Sequence, residues 1–408
     1  MLRNVLRAYR DAFSGHGPAV WRLAIATLVN RSGTMVLPFL ILFFTEERGF
    51  TAGEAGRMLA LYGVGGLLGA FLGGWLCDRM APRRVMIASL VLTGAGFLVL
   101  GYLEARWALA VTIFLVSLVG EAFRPANAAA LAAASTPENR GRSFALNRLA
   151  VNVGMSFGPA VGGLLAQRDY GWLFLADGLT CLAAAGLLAA GPGLARAATA
   201  AVVTAASPRS PWRDGPFLVL LLLMTALGAV FFQTAGTFPL TLHELHGFSE
   251  AGIGLMLAVN TVVIVLFEMV LVHATRRIDP LLLVAVGSFF FCLGFGLLPL
   301  GSGFAWVAFT VVVWTVGEML SMSAGSAVVA NRAGSGSLGR YMGLYVLSFS
   351  AAQVIAPVAG TWVYERFGPD TLWYVCGALG VPIALGFAAL APAWRRGAET
   401  AATARAAA

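Results

Sequence analysis

Long apolar stretches separated by short polar loops recur twelve times along the chain, at about 21–44, 56–77, 84–103, 107–134, 143–166, 170–191, 217–242, 250–273, 280–300, 304–330, 338–363 and 370–391. A helix needs about 20 mostly apolar residues to cross the hydrocarbon core of a bilayer. Each stretch has that length, so the pattern predicts an all-α polytopic membrane protein with twelve transmembrane helices. A transmembrane barrel would alternate apolar and polar residues over short segments. Runs such as Leu281–Val286 and Ala305–Val313, the latter interrupted only by Thr310, are too long and too uniformly apolar for it. Composition agrees: 59% of residues are hydrophobic and 11% are charged, against about 25% charged in a soluble domain.

The net charge of +8 is a topology signal rather than a nucleic-acid footprint. Every one of the 27 cationic residues is arginine. Nineteen fall in the first 22 residues, the loops after the even-numbered spans and the tail; only Arg48, Arg106, Arg168 and Arg366 fall in the opposite loops. Positive charge is retained on the cytoplasmic side, so both termini are expected there. The four cysteines, Cys77, Cys181, Cys292 and Cys376, are scattered without metal-ligand spacing. Met1–Ala19 is polar and basic, without the apolar core of a cleavable signal; a short interfacial helix fits it. The Ala/Arg-rich tail is expected to fray.

The longest break, at 192–216, carries Pro192, Pro208, Pro211 and Pro216 and divides the spans six and six. The expected organisation is a cytoplasmic segment 1–19, a six-helix bundle 20–191, a cytoplasmic linker 192–216, a second six-helix bundle 217–392 and a cytoplasmic tail 393–408. The halves repeat. Gly120-Glu121 matches Gly317-Glu318 at an offset of 197, and Gly158-Pro159 with Gly162 matches Ala356-Pro357 with Gly360 at 198. Arg79 and Arg276 also differ by 197, and Gly141-Arg142 matches Gly339-Arg340 at 198. Two related bundles that rock about a site suit a transporter.

Ionisable residues inside spans are costly and mark function by default. Glu318 in span 10 has no arginine near it in sequence, and it ranks first as a proton or cation site. Glu121 in span 4 has Arg124 three residues on, on the same helical face; it is either a proton-loading acid or a permanent ion pair. Glu268, late in span 8, and Asp177, in span 6, are further proton-coupling candidates. Asn30 and Arg31 in span 1, Arg124, Phe123, Phe231, Gln233 and Trp314 are candidates to line a substrate cavity. Arg31 fits either a partner for Glu121 or a contact for an anionic substrate group. Trp21, Trp107, Trp172, Trp212, Trp373 and Trp394 lie near span ends, as an interfacial belt requires.

Two motifs carry a family resemblance. Gly74, Asp78, Arg79, Arg83 and Arg84, between spans 2 and 3, resemble the cytoplasmic signature of the major facilitator superfamily of secondary transporters, with Ala81 and Pro82 replacing its second glycine and following basic residue. Gly154, Gly158, Pro159, Gly162 and Gly163 in span 5 resemble the signature of its drug:proton antiporter branch. Glycines at helical spacing permit a tight helix contact, and the proline removes a backbone donor. The resemblance covers residues 15–392. It implies the major facilitator fold, a conformational latch at Asp78 with Arg79, Arg83 and Arg84, and a monomer in a bacterial inner membrane. The expected partners are a small-molecule substrate, protons and membrane lipids, with no nucleic acid and no cofactor or metal. The expected activity is proton-coupled antiport that exports lipophilic or cationic compounds. The alternative is proton-coupled export or symport of a defined metabolite such as a peptide, sugar or lipid-like molecule. Nothing points to an enzyme: the chain has no lysine, hence no phosphate-loop lysine.

The orientation is checked by cysteine labelling in a background with the native cysteines replaced. An impermeant maleimide should label Glu104→Cys in intact cells and Met80→Cys only after permeabilisation; the reverse pattern inverts the topology.

Overall fold

A computed structural model describes residues 16–136, 140–190, 210–275 and 277–406. Most of the segment before Ala19, most of the linker 192–216, and Arg276 lie outside the described residues.

The described chain is helical. Helix α1 spans Pro18–Ser32 and α2 spans Val36–Leu42, extended by a π turn, Phe43–Glu47. Then follow α3 (Ala52–Cys77), α4 (Pro82–Leu100), α5 (Arg106–Glu121), α6 (Phe123–Ala134), α7 (Arg140–Ala166) and α8 (Tyr170–Ala189). The second half holds α9 (Gly215–Phe231), α10 (Thr237–Glu244), α11 (Glu250–Thr275), α12 (Pro280–Gly296), α13 (Phe304–Phe367) and α14 (Pro369–Ala406). Eleven spans among the described residues are long and apolar enough to cross a membrane, and Pro280–Gly296 is a shorter apolar helix. The surface is inverted relative to a soluble protein: Phe71 is 81% exposed and Leu222 69%, as lipid-facing positions require.

Helix starts follow local chemistry. Thr51 and Glu54 form a capping box: the Thr51 hydroxyl accepts from the Glu54 N–H at 3.2 Å, and the Thr51 N–H donates to Glu54 Oε2 at 3.0 Å. Asp169, Asp214 and Asp279 cap α8, α9 and α12 through their carboxylates.

Three expected continuous spans are interrupted, each beside a proline. Proline removes the hydrogen bond to the carbonyl four residues back. Pro38 frees Thr34 between α1 and α2, Pro125 frees Glu121 at the α5–α6 boundary, and Pro239 frees Ala235 between α9 and α10. The opposite departure occurs between spans 10 and 11. The expected loop there is helical, and α13 runs unbroken for 64 residues; residues 331–339 contain no proline to stop it. The tail is helical through Ala406 instead of frayed from 393, in keeping with the high helix propensity of alanine.

The described chain forms two compact units, one within Met1–Ala201 together with Phe248–Ala258, the other within Val202–Gly247 and Val259–Ala408. In the first, Gly65, Gly69 and Gly73 make one face of α3, and a Cβ at any of them would strike the backbone of Phe114, Leu118 or Ala122 on the neighbouring span. This close approach is the packing mode of helices in lipid. In the second, Phe295 stacks between Trp314 at 5.4 Å and Trp373 at 5.5 Å, nearly parallel to both. The Trp373 indole N–H donates to Thr241 Oγ1 at 3.0 Å.

One charged cluster ties the second unit together. Arg332 Nε donates to Asp214 Oδ2 at 2.7 Å, its Nη2 donates to Oδ1, and the Tyr341 hydroxyl donates to Oδ2 at 2.9 Å. The guanidinium lies 4.1 Å from the Trp394 ring centroid. At the positions 198 residues earlier, His16 Nδ1 and Ser143 Oγ stand 3.3 Å apart. The repeat thus places a polar contact at the same two positions in each half.

Burial pushes the Asp214 carboxyl up, but Arg332, Tyr341 and the Phe217 N–H outweigh it and hold the group below the ordinary carboxylate range. A depressed pKa contributes stability that is present above the unfolded value, about 3.9, and lost as pH falls through the folded value. Asp214→Ala should cost about 3 kcal/mol, the low end for breaking one side of a buried pair. Acid thermal melts should show that the variant lacks part of the wild-type loss of stability below about pH 4.

Candidate functional site

Each Gly-Glu pair of the repeat is built the same way. A Cβ on Gly120 would press on Thr93 of α4, and one on Gly317 would strike the backbone of Gly287 and Phe291 on α12. The glycine takes the tight contact, and the next residue, about 100° further round the helix, points elsewhere. Glu121 turns to α3, its Cγ 3.2 Å from the Cβ position of Gly66. Glu318 turns to α11, where Asn260 Nδ2 donates to its Oε2 at 2.9 Å and to Thr315 Oγ1 at 3.0 Å.

The two acids differ in their partners. Glu121 Oε2 lies 3.0 Å from Arg124 Nε. Arg31, half-buried on α1, is within electrostatic range of both Glu121 and Arg124. Two guanidinium groups therefore face Glu121, and Arg31 is also within electrostatic range of Asp177. Among the described residues Glu318 has no cationic partner; its hydrogen bond comes from a neutral amide. Half-buried Glu268 lies on α11 eight residues beyond Asn260 and acts electrostatically on Glu318. Asn260 escaped the sequence reading, although a lone amide in the run Ala258–Val263 is the signal a buried hydrogen-bond partner leaves.

Asp177 serves a different end. Its Oδ2 accepts from the N–H groups of Met35 at 3.4 Å and Val36 at 3.3 Å, the first residues after the break in span 1. Asn30 Nδ2 donates to Cys181 Sγ at 3.5 Å, and Cys181 Sγ lies 3.9 Å from Asp177 Oδ1. Gln233 does the equivalent work in span 7: its Nε2 donates to the Ala356 carbonyl at 2.9 Å, and its Oε1 accepts from the Thr237 hydroxyl at 2.7 Å. Both side chains satisfy backbone at a helix break.

Two aromatic candidates pack into cores. Phe123 is 3% exposed among Val20, Leu23 and Leu146. Trp314 is 2% exposed within the aromatic stack. Phe231 is half-buried and packs against Phe232 and Phe291, with centroids at 5.3 and 6.0 Å.

Two of the motif arginines bond to helix carbonyls. Arg83 donates to the last carbonyls of α8, Leu188 at 2.8 Å and Ala189 at 2.7 Å, where the helix dipole favours a cation. Arg79 stacks on Trp75 at 3.8 Å and donates to its carbonyl at 3.2 Å. Asp78 ends α3, exposed, after Gly74, and Arg84 is exposed. The span 5 glycines form two faces. Gly154, Gly158 and Gly162 back against residues 28–35 and Phe39, around the break in span 1, while Gly163 and the Pro159 carbonyl meet Glu250 and Gly254 at the start of α11.

Comparisons with known proteins place this arrangement. The family described as "Major Facilitator Superfamily" matches residues 23–357 and 236–407. The chain is 27% identical over 391 residues to an uncharacterized MFS-type transporter, YqjV, of Bacillus subtilis, covering 93% of this chain and 94% of that protein. It is 25% identical over 381 residues to the multidrug resistance protein MdtH of Aeromonas hydrophila, covering 88% and 92%. Among solved structures, a peptide transporter, POT, superposes with a TM-score of 0.83 at 17% identity over 94% of this chain and 96% of that one. The nucleoside transporter NupG superposes with a TM-score of 0.77 at 13% identity over 91% and 100%; at such identities the two structures speak for the fold alone. With the family matched along nearly its whole length and its apolar helices arranged in that fold, the chain belongs to the Major Facilitator Superfamily, and the protein is a multi-pass membrane transporter rather than an enzyme.

Proposed function

We propose that the protein is a proton-coupled secondary transporter of a bacterial inner membrane, with twelve spans in two six-helix bundles and both termini cytoplasmic. It moves a defined small metabolite bearing an anionic or zwitterionic group, the class to which peptides belong, by alternating access. The observation that carries this reading is the pair of guanidinium groups, Arg31 and Arg124, beside Glu121, with Asp177 also within range of Arg31. A guanidinium held inside a membrane protein needs a counter-charge, and a substrate carboxylate supplies one when it displaces a protein carboxylate. The pair suits a lipophilic cation poorly.

Glu318 is the coupling acid. When ionised, it accepts the Asn260 amide hydrogen; when protonated, one oxygen becomes a donor and the preference for that contact falls. Protonation therefore biases the α11–α13 contact, and substrate biases the Arg31–Arg124 group. Two ligands that act on one conformational equilibrium are thermodynamically coupled. Asp78 with its neighbouring arginines acts as the latch, and the glycine seam of span 5 as a gate contact.

A second reading, antiport of lipophilic cations outward, has its own support. The seam Gly154, Gly158, Pro159, Gly162 and Gly163 has the antiporter-type pattern, and the MdtH likeness runs along 88% of the chain.

Proteoliposomes with an imposed pH gradient separate the two, using a panel of dipeptides, nucleosides and lipophilic cations. The metabolite reading expects gradient-driven movement of one class only. Glu318→Gln should abolish accumulation against a gradient while substrate exchange at equal pH persists. Arg31→Gln should raise the KM for an anionic substrate about tenfold or more, the loss of one charge-assisted hydrogen bond. Movement of several unrelated cations, indifferent to Arg31→Gln, would establish the efflux reading instead. Undiminished coupling in Glu318→Gln would remove Glu318 from the mechanism and leave Glu121, Glu268 and Asp177.

A further inference from the structure

A cavity of about 500 Å³ opens in the first unit, among the π turn after α2, the end of α4 and the start of α8. It shares no residue with the Glu121 and Arg31 group. Its lining is mixed: Arg48 supplies a cation, Glu47 and Asp169 supply two carboxylates, and Leu98, Phe174 and Leu175 supply apolar wall. Two buried polar atoms in that lining lack a hydrogen-bond partner, Arg48 Nε and the Tyr170 hydroxyl. Tyr170 is only 5% exposed, so its hydroxyl is a desolvated donor that a ligand would satisfy. The guanidinium is held in place by donation from Nη2 to the Gly101 carbonyl at 2.8 Å and by the Phe43 ring 4.9 Å below it.

The rim sets the depth. Tyr102 is 88% exposed and Trp172 56%, and both line the cavity. Exposed Tyr and Trp at helix ends sit at the headgroup level of a bilayer. A guanidinium plus a phenol hydroxyl is a phosphate-binding pair. The two carboxylates make the lining net acidic, which disfavours a plain anionic phosphate and favours one that carries an amine. We propose that this cavity binds the amine–phosphate headgroup of a zwitterionic phospholipid, with the phosphate on Arg48 and Tyr170 and the ammonium toward Glu47 and Asp169. The apolar wall of Leu98 and Leu175 receives the glycerol end.

The test uses the full-length protein, delipidated in detergent and titrated with phosphatidylethanolamine, phosphatidylglycerol or phosphatidylcholine. Retention is read by native mass spectrometry and stabilisation by thermal shift. The expected result is one retained phosphatidylethanolamine, bound about tenfold tighter than either other lipid, the scale of one charge-assisted hydrogen bond. Tyr170→Phe deletes only the unpartnered hydroxyl, so the lipid-free protein should melt no lower than wild type while lipid affinity falls. Arg48→Gln should weaken all three lipids, and Glu47→Gln should narrow the preference for phosphatidylethanolamine over phosphatidylglycerol. Equal retention of the three lipids, or unaltered binding in both Tyr170→Phe and Arg48→Gln, would overturn the proposal. Soluble phosphoethanolamine should displace the lipid weakly. Free phosphoethanolamine binding as tightly as the lipid would overturn the phospholipid assignment and make the cavity a site for a soluble ligand.

Discussion

In hydrocarbon no water completes a hydrogen bond, so each polar group within the spans needs a partner from the protein. Much of this molecule follows from that constraint. Prolines 38, 125 and 239 each strip a backbone bond from a span and interrupt the helix. The breaks persist because side chains come to them. Asp177 reaches from α8 to the amides of Met35 and Val36, and Gln233 bridges Thr237 and the Ala356 carbonyl. Thr27, Asn127 and Asn147 close a third polar knot between three helices, with contacts of 3.0 to 3.3 Å. Irregular backbone at these depths is tolerated only where protein surrounds it.

The same constraint explains why two copies of one sequence plan serve different ends. Gly120-Glu121 and Gly317-Glu318 occupy equivalent places, each with its glycine against the outer helix. Around Glu121 stand arginines. Around Glu318 stand an amide and a hydroxyl. A duplicated scaffold thus holds one acid paired with cations and one held by neutral groups.

Glycine provides the mechanical counterpart. The face Gly65, Gly69, Gly73 brings backbone against backbone, while Gly154, Gly158 and Gly162 make room for both backbone and side chains of span 1. Those of span 5 lie against the interrupted part of span 1.

The apolar run lengths determined the fold class without help from tertiary structure, because the bilayer imposes one length on every span. The internal repeat and the arginine distribution were equally legible, being properties of linear order. Glu121, Glu318, Asp177 and Gln233 also stood out, since polar side chains are conspicuous in apolar runs. Their partners did not. Which face a residue presents depends on where neighbouring helices approach, and that is set by glycine contacts between distant segments. Only the folded chain could turn Glu318 to Asn260, bring Arg83 to the end of α8, and bury Phe123 and Trp314 in cores. The Asp214, Arg332 and Tyr341 cluster was hidden for the same reason: Asp214 lies more than a hundred residues from Arg332 and from Tyr341, and no local pattern links it to them. Sequence determines which groups must find partners in a membrane, and tertiary packing decides which partners they find.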